Sequence, residues 1–289
     1  MSPTRAPNTR APSRPAQPDQ ARASARPLAV AVIGVGAIGG AVAEALENGD
    51  VPGARLVAAL RSSSTSGQVT AALEAADVLV EAASVEAAEE LIPRITSAGK
   101  DVIVCSCGVF ARHETKHDLV GSGPGRVLVP AGAVGGLDVL AAAARAGTES
   151  AVLRHFTIKS PAALGVDEPL DAPREVFRGS AREAALEFPR TSNASVALAL
   201  ATIGLDRVEV IVVADPEVER TRHVVEWESP MGSYDMRFEN SVDPDSGGRT
   251  SAITAWSVIE VLSAISAGVG PGVVVVGVGR PVEGTSGSS

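Results

Sequence analysis

The run LAVAVIGVGAIGGAVAEALENG, residues 28–49, constrains this chain more than any other stretch. LAVAVIG is short, apolar and without polar alternation, as expected of a strand buried on both faces of a parallel sheet. Gly34, Gly36 and Gly39 follow it as G-x-G-x-x-G. Ile38, Val42 and Leu46 then recur at i, i+4 and i+8, one stripe of a helix, and Gly49 suits its end. A glycine triplet alone is weak; one that leaves a strand and opens a helix is the dinucleotide-binding context. Gly34 allows the tight turn, Gly36 lets backbone approach a pyrophosphate, and Gly39 lets helix and strand pack closely. Gly34, Gly36, Ala37, Ile38 and Gly39 are therefore the expected pyrophosphate-binding turn, with the helix N-terminus facing the phosphates.

The same grammar continues. ARLVAAL, DVLVEAA, DVIVC and RVLVP read as further strands, with helices expected over Thr70–Ala76, Val85–Ser97 and Gly136–Arg145. Strands alternating with helices predict an α/β, Rossmann-type doubly wound parallel sheet. After Gly147 the pattern changes. AVLRHFTIKS, RVEVIVVAD, TRHVVEWES and YDMRFEN read as longer strands, and Ser180–Thr202 as an Ala-rich helical region broken at FPRTSN. The expected organisation is a disordered tail over 1–27 and a dinucleotide-binding domain over 28–147. An α+β substrate and dimerisation domain covers 148–249. Residues 250–279 supply a helix and strand returning to the first domain, and 280–289 are disordered.

Composition sets the class. Formal net charge is −9. The first 26 residues carry five Arg and one Asp, so the remainder is more acidic still, which disfavours nucleic acid as a partner. Cys105 and Cys107 are the only cysteines, two apart and poorly placed for an unstrained disulfide, as in a reduced, cytoplasmic protein. The uncharged run Val261–Gly279 is interrupted by Gly268, Gly270, Pro271 and Gly272, so no membrane span is expected.

Cofactor choice is legible at the end of the second strand, LRSSSTS. NAD-binding sites usually carry a carboxylate there for the ribose 2′-hydroxyl. Arg61 followed by Ser62, Ser63 and Ser64 suits a 2′-phosphate instead, so NADP is expected to be accepted beside NAD, and even preferred.

HETKH, residues 113–117, matches the zinc signature H-E-x-x-H. It sits in a polar crossover between the fourth and fifth strands, with glycines close on both sides and no third-ligand extension. A solvated surface turn is expected, and no metal.

Beyond these local patterns, EAASVEAAEELIPRITSAGKDVIVCSCGVFA, VPAGAVGGLDVL, FRGSAREAALEFPRTSNASVALALATIGLD and GGRTSAITAWSVIE follow GVGAIGG in order. Together they resemble the L-aspartate dehydrogenase family, over about residues 28–266. The resemblance implies a homodimer that oxidises L-aspartate to iminoaspartate with NAD(P), or runs the reverse reductive amination. Iminoaspartate either hydrolyses to oxaloacetate and ammonia or feeds pyridine nucleotide biosynthesis. The family's cofactor contacts fall on Ala133 and Asn193, and its active-site histidine on His223. Lys159 matches a family lysine. Thr221 and Val224 stand where the family has Asn and often an acidic residue, and Gly248-Arg249 where Pro-Lys is common.

The chemistry fits those residues. Amine oxidation by hydride transfer needs a base near neutral pKa, which His223 on a predicted strand supplies. Two substrate carboxylates need cations, for which Lys159 and Arg249 are candidates. Asn193 precedes ASVALALAT and is expected to cap that helix. Ser84 and Cys107 follow strand ends on the ligand-binding side and are expected to line the nicotinamide pocket. Two other readings stay open: a related oxidoreductase acting on another small amino or imino dicarboxylate, and a non-catalytic nucleotide-binding sensor.

Overall fold

The computed structural model describes residues 26–268, apart from 116, 244–245 and 247–249. Residues 1–25 of the expected tail, the strand expected after residue 268 and Arg249 lie outside the described residues. The first strand of the glycine run, β1 (Leu28–Ile33), carries the pattern that organises one half of the molecule. Its alternate residues face opposite sides. Val30 and Val32 pack into one apolar cluster, Ala31 and Ile33 into another. Both faces are covered, as the unbroken apolar run requires.

Parallel neighbours complete this sheet: β2 (Ala54–Leu60), β3 (Val78–Glu81), β4 (Asp101–Val104) and β5 (Val127–Leu128), in the order β2-β1-β3-β4-β5. The order reverses between β1 and β3, so the crevice beyond their carboxyl ends is the topological switch point, where open α/β sheets bind ligands. Helix α1 (Ala37–Asn48) lies on one face through Val42 and Leu46. Helix α2 (Ser66–Ala75) begins at a Thr65–Gln68 capping box, four residues earlier than the apolar pattern suggests. Helix α3 (Val85–Ser97) covers the opposite face with Leu91, Ile92 and Ile95.

Helix α4 (Leu137–Arg145) leads to a second sheet. Its strands are β6 (Val152–Lys159), β7 (Arg174–Ser180), β8 (Glu209–Ala214), β9 (Thr221–Ser229) and β10 (Gly232–Asn240), in the order β10-β9-β6-β8-β7. Only β6 and β8 run parallel. Strand β7 is absent from the sequence expectation, because REVFRGS mixes three polar residues with two glycine-or-serine positions and shows no clean alternation. Helices α5 (Ala181–Glu187) and α6 (Asn193–Ala201) cover one face, on which Leu153, Val210, Val212, Val225 and Trp227 are buried. Trp227 is among the largest fully buried side chains.

The last helix, α7 (Ile253–Ala267), returns to the first sheet. Ala255, Val258, Ile259 and Leu262 join Val30, Val32, Val42 and Leu46 in one cluster. It ends at Ala267, and no helix among the described residues is long and apolar enough to cross a membrane.

The glycine turn is built as its spacing requires. Gly34 has φ +85°, and a Cβ there would lie 2.6 Å from the Ala82 carbonyl oxygen. A Cβ on Gly39 would lie 1.8 Å from the Gly34 carbonyl oxygen. At Gly36 a Cβ would meet nothing within 4 Å, so its smallness serves no internal contact. Gly39→Ala is therefore expected to push α1 off β1 and destabilise the fold by about 1–3 kcal/mol. Urea unfolding measures this, and an unchanged midpoint would contradict the packing described.

Candidate active site

The residues singled out by the sequence converge on the carboxyl edge of the first sheet. Two side chains shape that edge from within. Glu81, at the end of β3, is fully buried and accepts from the amides of Ala83 (2.9 Å), Ser84 (3.2 Å) and Ser106 (3.1 Å) and from the Ser106 hydroxyl (2.9 Å). One carboxylate thus ties the end of β3 to the segment after β4. Burial raises its pKa above the usual range, and these four donors oppose the rise. Asn193 makes the second tie, accepting from the Gly108 amide at 3.1 Å. The capping position of α6 belongs to Ser192, so Asn193 is the first helical residue rather than the expected cap. Its side chain reaches across to the other half of the molecule.

The segment after β5 is fixed from two further directions. Ser257 of α7 accepts from the Gly132 amide at 3.1 Å. Asn240 of β10 donates to the Ala133 carbonyl at 2.7 Å. A cleft opens between these elements, lined by Ile38 at the start of α1, Cys107, Pro130–Ala133, Arg190, Thr191, Asn193, Lys159, His223 and Thr250–Ser251. Of the residues expected from sequence, Ile38, Cys107, Ala133, Asn193, Lys159 and His223 thus share one cavity. Gly34, Gly36, Ala37 and Gly39 form the turn from which Ile38 reaches it. Ser84 is not among its lining residues; its hydroxyl caps α3 by accepting from the Ala87 amide. Arg61 stands apart at the end of β2, its side chain exposed and its backbone closed into a turn by Ser64.

The wall contributed by the second sheet carries the titratable groups. Lys159 ends β6 and is only 3% exposed, and burial pushes its amine down to about 8. His223 on β9 is equally buried and is held well below its usual pKa, by burial first and then by the neighbouring His155 and Lys159. It is a neutral imidazole at physiological pH. Its Nδ1 lies 3.1 Å from Nε2 of His155, whose Nδ1 lies 2.9 Å from the Ser195 hydroxyl. Cys105 and Cys107 are buried free thiols, and burial pushes Cys107 up to about 12, which makes it a wall residue without nucleophilic character.

Sequence reasoning assigned no role to Arg190, His155 or Ser195. Arg190 lies in the quoted FPRTSN segment, where its charge beside Asn193 was an available signal. His155 and Ser195 carry no local signal, since their relation to His223 exists only across strands. HETKH stays outside the cleft. Its described residues, 113–115 and 117, form bends and a turn, with His117 exposed and His113 Nε2 3.7 Å from Glu89.

This arrangement holds a glycine-rich turn, a neutral imidazole and two basic side chains around one cavity. Residues 138–265 match the family described as "Aspartate dehydrogenase, C-terminal", and residues 34–122 match "Homoserine dehydrogenase, NAD binding domain". The chain is 35% identical over 263 residues to L-aspartate dehydrogenase 3 of Bordetella bronchiseptica, covering 83% of this chain and 96% of that protein. It is 34% identical over 258 residues to the L-aspartate dehydrogenase of Methanothermobacter thermautotrophicus, covering 83% and 96%. The fold matches the crystal structure of aspartate dehydrogenase from Thermotoga maritima with a TM-score of 0.62 and 29% identity, covering 81% of this chain and 95% of that one.

Proposed function

The chain belongs to the L-aspartate dehydrogenase family, and on that premise we propose that its cleft interconverts L-aspartate and iminoaspartate with a nicotinamide dinucleotide, iminoaspartate hydrolysing to oxaloacetate and ammonia. The observation that carries the reading is the shared wall of His223, Lys159 and Asn193 facing the start of α1. The bound nicotinamide supplies the acceptor or donor of hydride. The open backbone at Gly36 and the N-terminus of α1 fit a pyrophosphate, while Ile38, Cys107, Ala133 and Asn193 line the space beyond. His223 takes a proton from the substrate ammonium, and its burial keeps it neutral and able to accept. Lys159 and Arg190 hold the two carboxylates, a role that Arg249 shares in the sequence expectation.

Consumption of the reduced dinucleotide with oxaloacetate and ammonia, and its formation with L-aspartate, tests the reaction by near-ultraviolet absorbance. A panel of other 2-oxo acids tests substrate choice. His223→Asn is expected to lower kcat by about 10² or more, and near-normal turnover would remove His223 from the mechanism. The pH sign follows from Lys159. Its amine is charged below about 8 and loses charge above. The advantage of the unmutated enzyme over Lys159→Met in kcat/KM is then about tenfold or more at lower pH, from a charged hydrogen bond, and shrinks as pH rises through about 8. Taking this ratio cancels the ionisation of the substrates; a ratio flat with pH would exclude the lysine.

For the cofactor we propose that NADP is accepted alongside NAD, with Arg61, Ser62 and Ser63 exposed at the end of β2 for a 2′-phosphate. Arg61→Asp is expected to shift the kcat/KM ratio towards NAD by about tenfold or more, a charge-assisted contact being replaced by repulsion. Strong NAD preference before mutation would contradict the assignment.

We further propose a homodimer formed through the outer face of the second sheet. Phe156 and Ile158 of β6, Val213 of β8 and Val224 of β9 are register neighbours there and only partly buried. Ion pairs of Arg154 and Arg178 with Glu209 and of Arg222 with Glu239 rim them. Sedimentation velocity should show a dimer that Phe156→Glu converts to monomer; a monomeric unmutated chain would refute it.

A further inference from the structure

We propose that His155 is a positioning residue that fixes the tautomer of His223: its Nε2 accepts a hydrogen bond from His223 Nδ1–H, Ser195 holds its other nitrogen, and the lone pair of His223 Nε2 is left facing the cleft. This inference rests on the proposed role of His223 as the group that exchanges a proton with the substrate nitrogen.

The geometry comes from the sheet. Thr157 is the register partner of His223 across the antiparallel pair β6–β9, and His155 lies two residues along the same face of β6. Diagonal neighbours in such a pair are within reach of long side chains. The ring centroids are 5.2 Å apart and the planes differ by 22°. With an Nε2···Nδ1 distance of 3.1 Å, that centroid spacing is close to the nitrogen separation plus two ring radii. The rings therefore meet edge to edge and nearly coplanar, the arrangement of a hydrogen bond between imidazoles and not of a face-on stack. Thr157 Oγ1 also approaches His223 Nδ1, at the longer distance of 3.4 Å. Both histidines are buried, so neither nitrogen can exchange its partner for bulk water.

Two hydrogens could in principle occupy the link, and the charge nearby selects one. Lys159 acts on His223 through space. A cation on the cleft side favours a lone pair there over an N–H, and an incoming substrate ammonium adds to that preference. His223 Nδ1 then carries the hydrogen and donates, and His155 Nε2 accepts. His155 must hold its own hydrogen on Nδ1, which donates to the Ser195 oxygen at 2.9 Å. Burial pushes His155 down to about 3, so it stays neutral and keeps an acceptor to offer. When the substrate ammonium gives a proton to His223 Nε2, the imidazolium formed retains its Nδ1–H bond to His155. The proton count closes without moving a hydrogen along the chain.

The test uses the full-length chain with its dinucleotide bound. The chain has four histidines, so ¹⁵N-histidine spectra are assignable by comparison with His223→Gln. The unmutated protein should show His223 protonated at Nδ1 and bare at Nε2. His155→Leu should lose that tautomer and lower kcat by about tenfold or more, the range for losing an orienting partner, while KM for the dinucleotide stays within about twofold. His155→Gln, whose side-chain oxygen can accept near the Nε2 position, should recover most of the loss. A hydrogen on His223 Nε2 in the unmutated protein overturns the proposal, as does a His155→Leu enzyme with unchanged tautomer and kcat. If His155→Leu does not fold, the spectrum of the unmutated chain still decides. Full turnover in His223→Asn would defeat the catalytic reading separately, because the tautomer spectrum reports on the histidine pair whatever His223 does.

Discussion

A parallel sheet delivers all its strand ends to one edge, and the rest of this molecule is arranged around that constraint. Five strands point their carboxyl ends the same way. The groups that follow them, the glycine turn, the Glu81-tied loops and the Gly132–Ala133 segment, must therefore assemble side by side. What this edge contributes to the cleft lining, Ile38, Cys107 and Pro130–Ala133, carries no charge. Reactive groups have to arrive from elsewhere, and the second sheet brings them. Asn193 and Asn240 fasten the two halves across the cleft, each through one hydrogen bond to backbone. One apolar cluster runs through both sheets, from Ala31 and Ile33 to Leu153 and Val225, and these links pin the rim of the cavity between their chemically different walls.

The walls differ in how they handle charge. On the first sheet a single anion, Glu81, is buried among four donors that offset its desolvation. On the second sheet burial works against positive charge at His155, Lys159 and His223 together. A region that disfavours a bound proton keeps an imidazole neutral and holds any proton it takes only weakly.

Much of this was legible in the chain. The glycine run announced its strand, turn and helix, because each of its signals is local: an apolar stretch, three glycines and a stripe at helical spacing. His223 and Lys159 were found through resemblance and then fell in the cavity. Other features were hidden because they depend on register or on distant partners. Strand β7 has no alternation of its own and exists because β8 offers it an edge. Asn193 reads locally as a helix cap, yet its oxygen is used by an amide 85 positions earlier in the chain. His155 is separated from His223 by 68 positions and from Ser195 by 40, so only the pleating of β6 against β9 and the packing of α6 reveal the set. HETKH shows the converse, a perfect local match that its surroundings in the chain already argued against.

The return of α7 to the first sheet has a consequence for how the chain comes into being. The hydrophobic cluster that seats β1 and α1 includes Ala255, Val258, Ile259 and Leu262. During synthesis the glycine turn leaves the ribosome before α7, and one flank of its sheet stays uncovered until about 220 further residues have emerged. The turn of this site is thus made well before the helix that seals the sheet behind it. Its apolar surface is left exposed to solvent or chaperone throughout that interval.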